Sequence, residues 1–156
     1  MKFSQEDLKQ IGSSCLNLSL RRTSRLITNY YDSMLKSSGL RITQFTVLSS
    51  IAYETDPSIT DLARLTDIDR TTLQRSLDIL NRDGYIKIEK KEIGNVRSIS
   101  LTKKGEITLA KAIELWKETQ KSITEELGKS EFKQTLKILS ELRHLPVLQI
   151  DISGEK

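Results

Sequence analysis

Three leucines constrain this chain more than any other feature. Leu73, Leu77 and Leu80 recur at spacings of four and three, between Asp69 and Gly84. At about 100° per residue they fall in one narrow stripe, so the segment reads as a helix with one buried face. Asp69 suits its start, because a carboxylate accepts from free backbone N–H groups and meets the positive end of the dipole. Gly84 supplies a left-handed stop. The face opposite the leucines carries Thr71, Arg75, Asp78 and Arg82. Thr72 and Gln74 lie on its flanks, and Arg70 sits at the helix start.

The neighbouring segments say what this helix packs with. Upstream, residues 58–65 read as a second, shorter helix, where Ser58 and Asp61 form a capping-box pattern. Leu62 and Leu65 point one way, and Ala63 is small enough for a close helix crossing. Thr66-Asp67-Ile68 leaves room only for a turn. Downstream, Ile86 and Ile88 alternate with Lys87 and Glu89, and Ile99 and Leu101 with Ser98 and Ser100. That is a half-buried strand pair, with Gly94-Asn95 near its turn. Two short helices, a tight turn and a hairpin make a winged helix-turn-helix.

Arg, Gln and Thr are side chains that reach base edges and phosphates in a major groove. An ordinary solvated helix looks the same by this criterion, and the helix-turn-helix also serves structural roles. Charge separates the two readings. Residues 69–104 hold nine basic and five acidic side chains, an excess equal to the +4 of the whole chain. The basic surplus therefore sits on the outward helix and the hairpin, the electrostatic footprint of a phosphate-binding surface.

The remainder of the chain reads as helices that hold this unit. Residues 1–12 form a short lead-in helix with Phe3, Leu8 and Ile11 as its apolar residues. From 13 to 37 the spacing Leu16, Leu20, Ile27, Tyr30 or Tyr31, Met34 predicts one long amphipathic helix. Arg21, Arg22 and Arg25 lie off that stripe and read as a solvated or ion-paired face, although three arginines also fit nucleic acid. Gly39 stops this helix, and Thr43 is the expected cap of the next, whose stripe is Phe45, Leu48, Ile51 and Ala52. Past the hairpin, a long helix carries Leu109, Ile113, Trp116, Ile123 and Leu127 up to Gly128. Ser130 is the expected cap of a last helix with Phe132, Leu136, Leu139 and Leu142 on one face, ended by Pro146.

The expected fold is mostly α with a small β-hairpin wing. A winged helix-turn-helix over 40–104 is flanked by dimerising N- and C-terminal helices, 1–37 and 105–146, in a single domain spanning 1–156. The apolar stripes of the terminal helices exceed what one small winged unit needs to cover, so packing against a second subunit is expected. A twofold dimer would put two reading helices on successive turns of one DNA face.

Several function classes are excluded by what the sequence lacks. No apolar run approaches a membrane span. No signal-peptide pattern opens the chain, so a cytoplasmic protein is expected. One cysteine rules out an intrachain disulfide and a multi-cysteine zinc site. No Gly-rich phosphate loop, metal-ligand spacing or nucleophile motif appears, so no catalytic residue, metal or cofactor is assigned.

The chain resembles the MarR family of transcription regulators over about its whole length, residues 15–145. The resemblance is carried by Leu40-Arg41-Ile42-Thr43-Gln44-Phe45-Thr46-Val47-Leu48 and by Ile59-Thr60-Asp61-Leu62-Ala63-Arg64-Leu65. It continues with Asp69-Arg70-Thr71-Thr72-Leu73, Leu80-Asn81-Arg82-Asp83-Gly84-Tyr85-Ile86 and Ser100-Leu101-Thr102-Lys103-Lys104-Gly105. It implies a homodimer with interleaved terminal helices, a DNA-reading helix, a minor-groove wing and a crevice for a small-molecule effector. Family members mostly repress transcription until an effector or oxidant releases them.

On this reading the DNA-binding residues are Arg70, Thr71, Thr72, Gln74 and Arg75 on the helix, with Lys90, Lys91 and Arg97 on the wing. The wing departs from the family pattern: where many relatives carry an Asp, a spacer and an Arg, this chain has Ile93, Gly94 and Asn95. Two other outputs of the same fold stay open. A winged helix can serve protein–protein contact alone. A thiol sensor is the second, because Cys15 is placed like the reactive cysteine of the organic-hydroperoxide branch. Leu16-Asn17-Leu18-Ser19 lacks the aromatic residues of that branch, and a small buried hydrophobe is the plainer role for Cys15. His144 reads as a surface residue at a helix C-terminus, and Trp116 as packing.

Overall fold

The fold was taken from a computed structural model, which describes residues 3–90 and 97–148. It is mostly helical with one two-stranded antiparallel sheet, as the sequence implies. In chain order come α1 (Gln5–Ser14), α2 (Leu16–Leu35), α3 (Ile42–Tyr53), α4 (Ile59–Thr66), α5 (Arg70–Arg82), β1 (Ile86–Lys90), β2 (Arg97–Leu101), α6 (Lys103–Leu127) and α7 (Lys129–Arg143). The chain forms two compact units, Met1–Trp116 and Lys117–Lys156.

The first unit is built around the predicted leucine stripe. Leu73, Leu77 and Leu80 are fully buried, joined by Leu48 and Ile51 of α3, Leu62 of α4 and Ile86 and Ile99 of the hairpin. Leu109 and Ala112 bring the first half of α6 onto the same core. Phe45 stacks on Trp116 with ring centroids 6.2 Å apart and planes at 22°, so the lone tryptophan packs, as expected. Ile86 pairs with Leu101 and Ile88 with Ile99, which puts all four on one face of the hairpin.

Several sequence-based boundaries move. The lead-in helix and the long helix after it are separate, as expected, but the boundary lies later than residue 12: α1 ends at Ser14, and Cys15 is extended (φ −72°, ψ 109°) before α2 begins. Ser4 caps α1 through a box with Asp7. A 3₁₀ turn, Lys36–Ser38, then ends in Gly39 at φ 82°. Thr43 does not cap α3, because the helix already begins at Ile42. The first helical N–H goes instead to a carboxylate from another helix: Ile42 N–H donates to Asp32 Oδ1 at 2.7 Å.

Ser130 likewise lies inside α7, whose N-cap is Gly128 at φ 95°. The side chain of Glu131 fills the space that a Cβ at Gly128 would need. Ala52 is exposed, and Val47 takes the buried place. Leu65 is largely exposed while Leu62 is buried, so the two do not share a core role.

Helices α2 and α7 leave several large apolar side chains of their stripes uncovered. Leu16 is 54% exposed, and Leu20, Ile27 and Tyr30 of α2 are also exposed. In the second unit, Leu136 is 52% exposed and Leu139 lies open on the same face of α7. Such a run of exposed large side chains along helices is more than isolated surface hydrophobics explain.

Candidate nucleic-acid interface

Two helices joined by a tight turn position the outward face of α5. Ser58 accepts from the Asp61 N–H at 3.2 Å, and Asp61 Oδ2 accepts in return from the Ser58 N–H at 3.1 Å, the expected capping box. Bonds from Ser58 hold the Asp61 carboxyl below its ordinary value, with Arg64 adding a smaller pull. The turn passes through Asp67 in the left-handed region, at φ 53°. Asp69 then caps α5 by accepting from the Thr72 N–H at 2.9 Å. Hydrogen bonds from Thr72 lower the Asp69 carboxyl, and the charge of Arg75 lowers it further.

With the leucine face buried, the opposite face is fixed. Arg70, Thr71, Thr72, Arg75, Asp78 and Arg82 are all exposed, and Gln74 is half-buried. Gln74 Nε2 donates to Asp78 Oδ1 at 2.8 Å, so its amide is already held along the helix. Arg82 is paired with Asp83 at 3.0 Å. Arg70 and Arg75 project from the first two turns, the part of a recognition helix that meets base edges.

The wing is tied to the body near the outer end of its described register. Ser98 Oγ donates to Asp56 Oδ1 at 2.6 Å, which joins β2 to the loop between α3 and α4. Lys90 and Arg97 form the last described backbone pair of the hairpin. Lys91, and the Ile93-Gly94-Asn95 departure from the family pattern, lie outside the described residues.

Other singled-out residues fall away from this face. Cys15 is half-buried at the α1–α2 junction. Arg21, Arg22 and Arg25 are exposed and line an open groove of about 670 Å³ with Leu18, Leu20 and Ser24. The His144 ring nitrogen Nδ1 lies 2.8 Å from the Ser140 carbonyl, a local contact within its own helix end. Tyr31 has its phenol pushed up by burial, with Tyr30 adding to the effect. Among the described residues no group of His, Cys, Asp and Glu is arranged to hold a metal. No described helix is long and apolar enough to cross a membrane.

Sequence reasoning missed three polar ties that set this geometry: Asp32 to Ile42, Asp56 to Ser98, and Lys104 to the end of α5. Each joins residues 10 to 42 positions apart, beyond the reach of local pattern reading. For Lys104 one signal was present, an aromatic residue on the strand side of a Lys-Lys-Gly helix start.

Comparison with known proteins places this arrangement. The MarR family model matches residues 38–92. No curated protein sequence matches the chain. Among solved structures, the Mycobacterium tuberculosis transcriptional regulator MosR is 31% identical, with a TM-score of 0.72 over 83% of this chain and 93% of its own. MosR in complex with DNA is similar over 85% of this chain and 100% of its own, with a TM-score of 0.70 at 31% identity. The transcriptional repressor CouR, bound to a 23-mer DNA duplex, shares the fold with a TM-score of 0.78 at 22% identity, over 92% of this chain and 100% of its own. With its fold, its matched segment and its likeness to MosR in agreement, the chain belongs to the MarR family of winged-helix transcription regulators.

Proposed function

We propose that the chain is a homodimeric repressor that binds a pseudo-palindromic operator in double-stranded DNA and is released by a small-molecule effector. The observation that carries the reading is the outward face of α5, where Arg70, Thr71, Thr72 and Arg75 stand exposed opposite a fully buried leucine stripe. The basic excess of residues 69–104 supports it, and so does the 31% identical MosR, which has been solved with DNA. Residues 1–37 and 105–146 act as dimerisation helices and 40–104 as the reading unit, within one functional domain. The protein works as a binder in the cytoplasm and catalyses no reaction.

In this reading α5 enters the major groove, with Arg70, Thr71, Thr72, Gln74 and Arg75 facing the DNA. Lys90, Lys91 and Arg97 on the wing meet phosphate or the minor groove. Two copies of α5 address half-sites about 34 Å apart, one helical turn of DNA. An effector acts by favouring a dimer whose reading helices are wrongly spaced, so it needs different affinities for the two states.

Selection of bound sites from a random DNA pool supplies the operator, and two substitutions then test the face. Arg75→Ala is expected to cost about 1–3 kcal/mol on the selected site and to relax base preference at one position per half-site. Arg97→Ala is expected to weaken all sequences evenly and to flatten the salt slope by about one phosphate contact per subunit. Affinities for selected and scrambled DNA at several salt concentrations separate the two effects. An unchanged selected-to-scrambled ratio in Arg75→Ala means that this face does not read bases. No salt-dependent DNA binding by the wild type would leave the winged helix as a protein-contact module.

The trigger is tested at Cys15. In reducing buffer Cys15→Ser is expected to bind the operator as the wild type does, since a half-buried thiol is replaced by a near-isostere. Low peroxide is expected to release neither protein. Release of the wild type alone would make the thiol the trigger, through oxidation of Cys15.

A further inference from the structure

The basic residues near the hairpin are not equivalent. Lys103 points outward and pairs with Glu106 at 3.0 Å on the surface of α6. Lys104 turns back toward the reading helix. Its Nζ donates to the Asp83 carbonyl at 2.7 Å and stands 4.6 Å from the centroid of the Tyr85 ring. Asp83 is the C-cap of α5. A carbonyl there carries the negative end of the helix dipole, for which an ammonium is the matching group, and the ring face attracts the same charge.

The same segment is gripped by its backbone. The Thr102 N–H donates to the Tyr85 carbonyl at 3.0 Å. The Thr102 hydroxyl donates to the Gly84 carbonyl at 2.7 Å and accepts from the Gly105 N–H at 3.0 Å. Gly105 lies so close that a Cβ on it would collide with the Tyr85 carbonyl oxygen. On the other side, the Tyr85 hydroxyl stands 3.6 Å from where a Cβ of Gly39 would be. The end of α5 is thus clasped between the start of α6 and the turn after α2.

We propose that Lys104 is a positioning residue: it fixes the angle between α5 and α6, hence the half-site spacing a dimer accepts, and does not contact phosphate. The proposal rests on the DNA-binding homodimer reading given above. A lysine that binds DNA displaces counterions with a free ammonium. The ammonium of Lys104, on an exposed residue, is instead bonded to the cap of the reading helix. Because α6 continues from this clasp into the proposed dimerisation region, a change of α6 at its start reaches α5 through three adjacent residues, 83 to 85.

The test uses the full chain and two substitutions. Lys104→Met keeps the aliphatic stem without the charge, and Lys104→Arg keeps a cation and a donor. Each is titrated with the duplex selected by the wild type, and with the same duplex lengthened between its half-sites by one or two base pairs. Salt is varied throughout, and hydrogen exchange is followed without DNA. For Lys104→Met the salt slope is expected to stay unchanged. The ratio of affinities for native over lengthened site is expected to fall by about three-fold or more. The amides of Tyr85 and Thr102 are expected to exchange about ten-fold faster. Lys104→Arg is expected to restore the ratio.

A slope flattened by about one phosphate contact per subunit would put Lys104 on the DNA and overturn the proposal. An unchanged slope with an unchanged ratio would overturn it too. Should the wild type select no duplex, the DNA reading falls and exchange alone decides the clasp. Faster exchange at both amides in Lys104→Met then keeps Lys104 as the fastener of α5 to α6, and wild-type rates end it.

Discussion

Deletion of residues 1–37 is expected to abolish operator affinity. The segment carries Leu16, Leu20, Ile27 and Tyr30, all large and all exposed in the single chain. In the proposed dimer a second copy covers them. Losing the dimer removes one of two linked half-site contacts, and linkage of that kind multiplies affinity by about 10²–10⁴. The deletion also takes Leu35 from the core and the Asp32 carboxylate from the start of α3, so aggregation is a further expected result. A gentler variant separates the two effects. Leu20→Glu with Ile27→Glu leaves Leu35 and Asp32 in place, and should give a folded monomer with operator affinity reduced about 100-fold or more. Light scattering after gel filtration, with titration of the same fractions, reads both quantities. A well-folded monomer that still binds tightly would sink the dimer.

Leu77→Ala is expected to have the largest effect of any single core change. Leu77 is fully buried at the middle of α5, with Leu73 and Leu80 on either side, against α3, α4 and β1. Removing buried leucine atoms forfeits their transfer energy and leaves a cavity, for a cost of about 2–5 kcal/mol. Whole-domain stabilities run to about 5–15 kcal/mol, so this is a large fraction of the total. For a chain of this size the melting temperature should fall by roughly 6–15 °C. Calorimetry or denaturant titration gives the number. A loss of about 0.5 kcal/mol or less is the size of an ordinary surface change, and would mean that the stripe does not anchor the reading helix.

What could be read from the sequence was what depends on local period and local capping. Leu73, Leu77 and Leu80 defined α5, and Ser58, Asp61 and Asp69 cap as expected because each cap is decided within three residues. Ile86, Ile88, Ile99 and Leu101 gave the hairpin by alternation. The misplaced caps have non-local or backbone causes. Asp32 meets Ile42 from another helix, and Gly128 works through a positive φ rather than a side-chain acceptor. The boundary between the first two helices falls at Cys15 rather than after residue 12, because apolar spacing fixes a helix end only to within a few residues. At the proposed interface, the exposed face of α5 followed from the leucines by subtraction. The bond of Lys104 to the end of α5 did not, since a count of basic residues does not show which exposed ammonium also caps a helix.

The hairpin register also shapes how such a protein can diverge. Pairing runs from Ile86 with Leu101 to Lys90 with Arg97, and side chains alternate across it. One residue inserted within β2 would turn Ile99 from the core to solvent, so the base of the wing tolerates almost no change in length. Residues added or removed between Lys90 and Arg97 leave every one of those pairs intact. Changes of length or charge there can therefore accumulate without shifting the described register. In the proposed DNA-binding role, preference at the minor groove is then free to drift on one evolutionary clock while the stability of the winged unit keeps another.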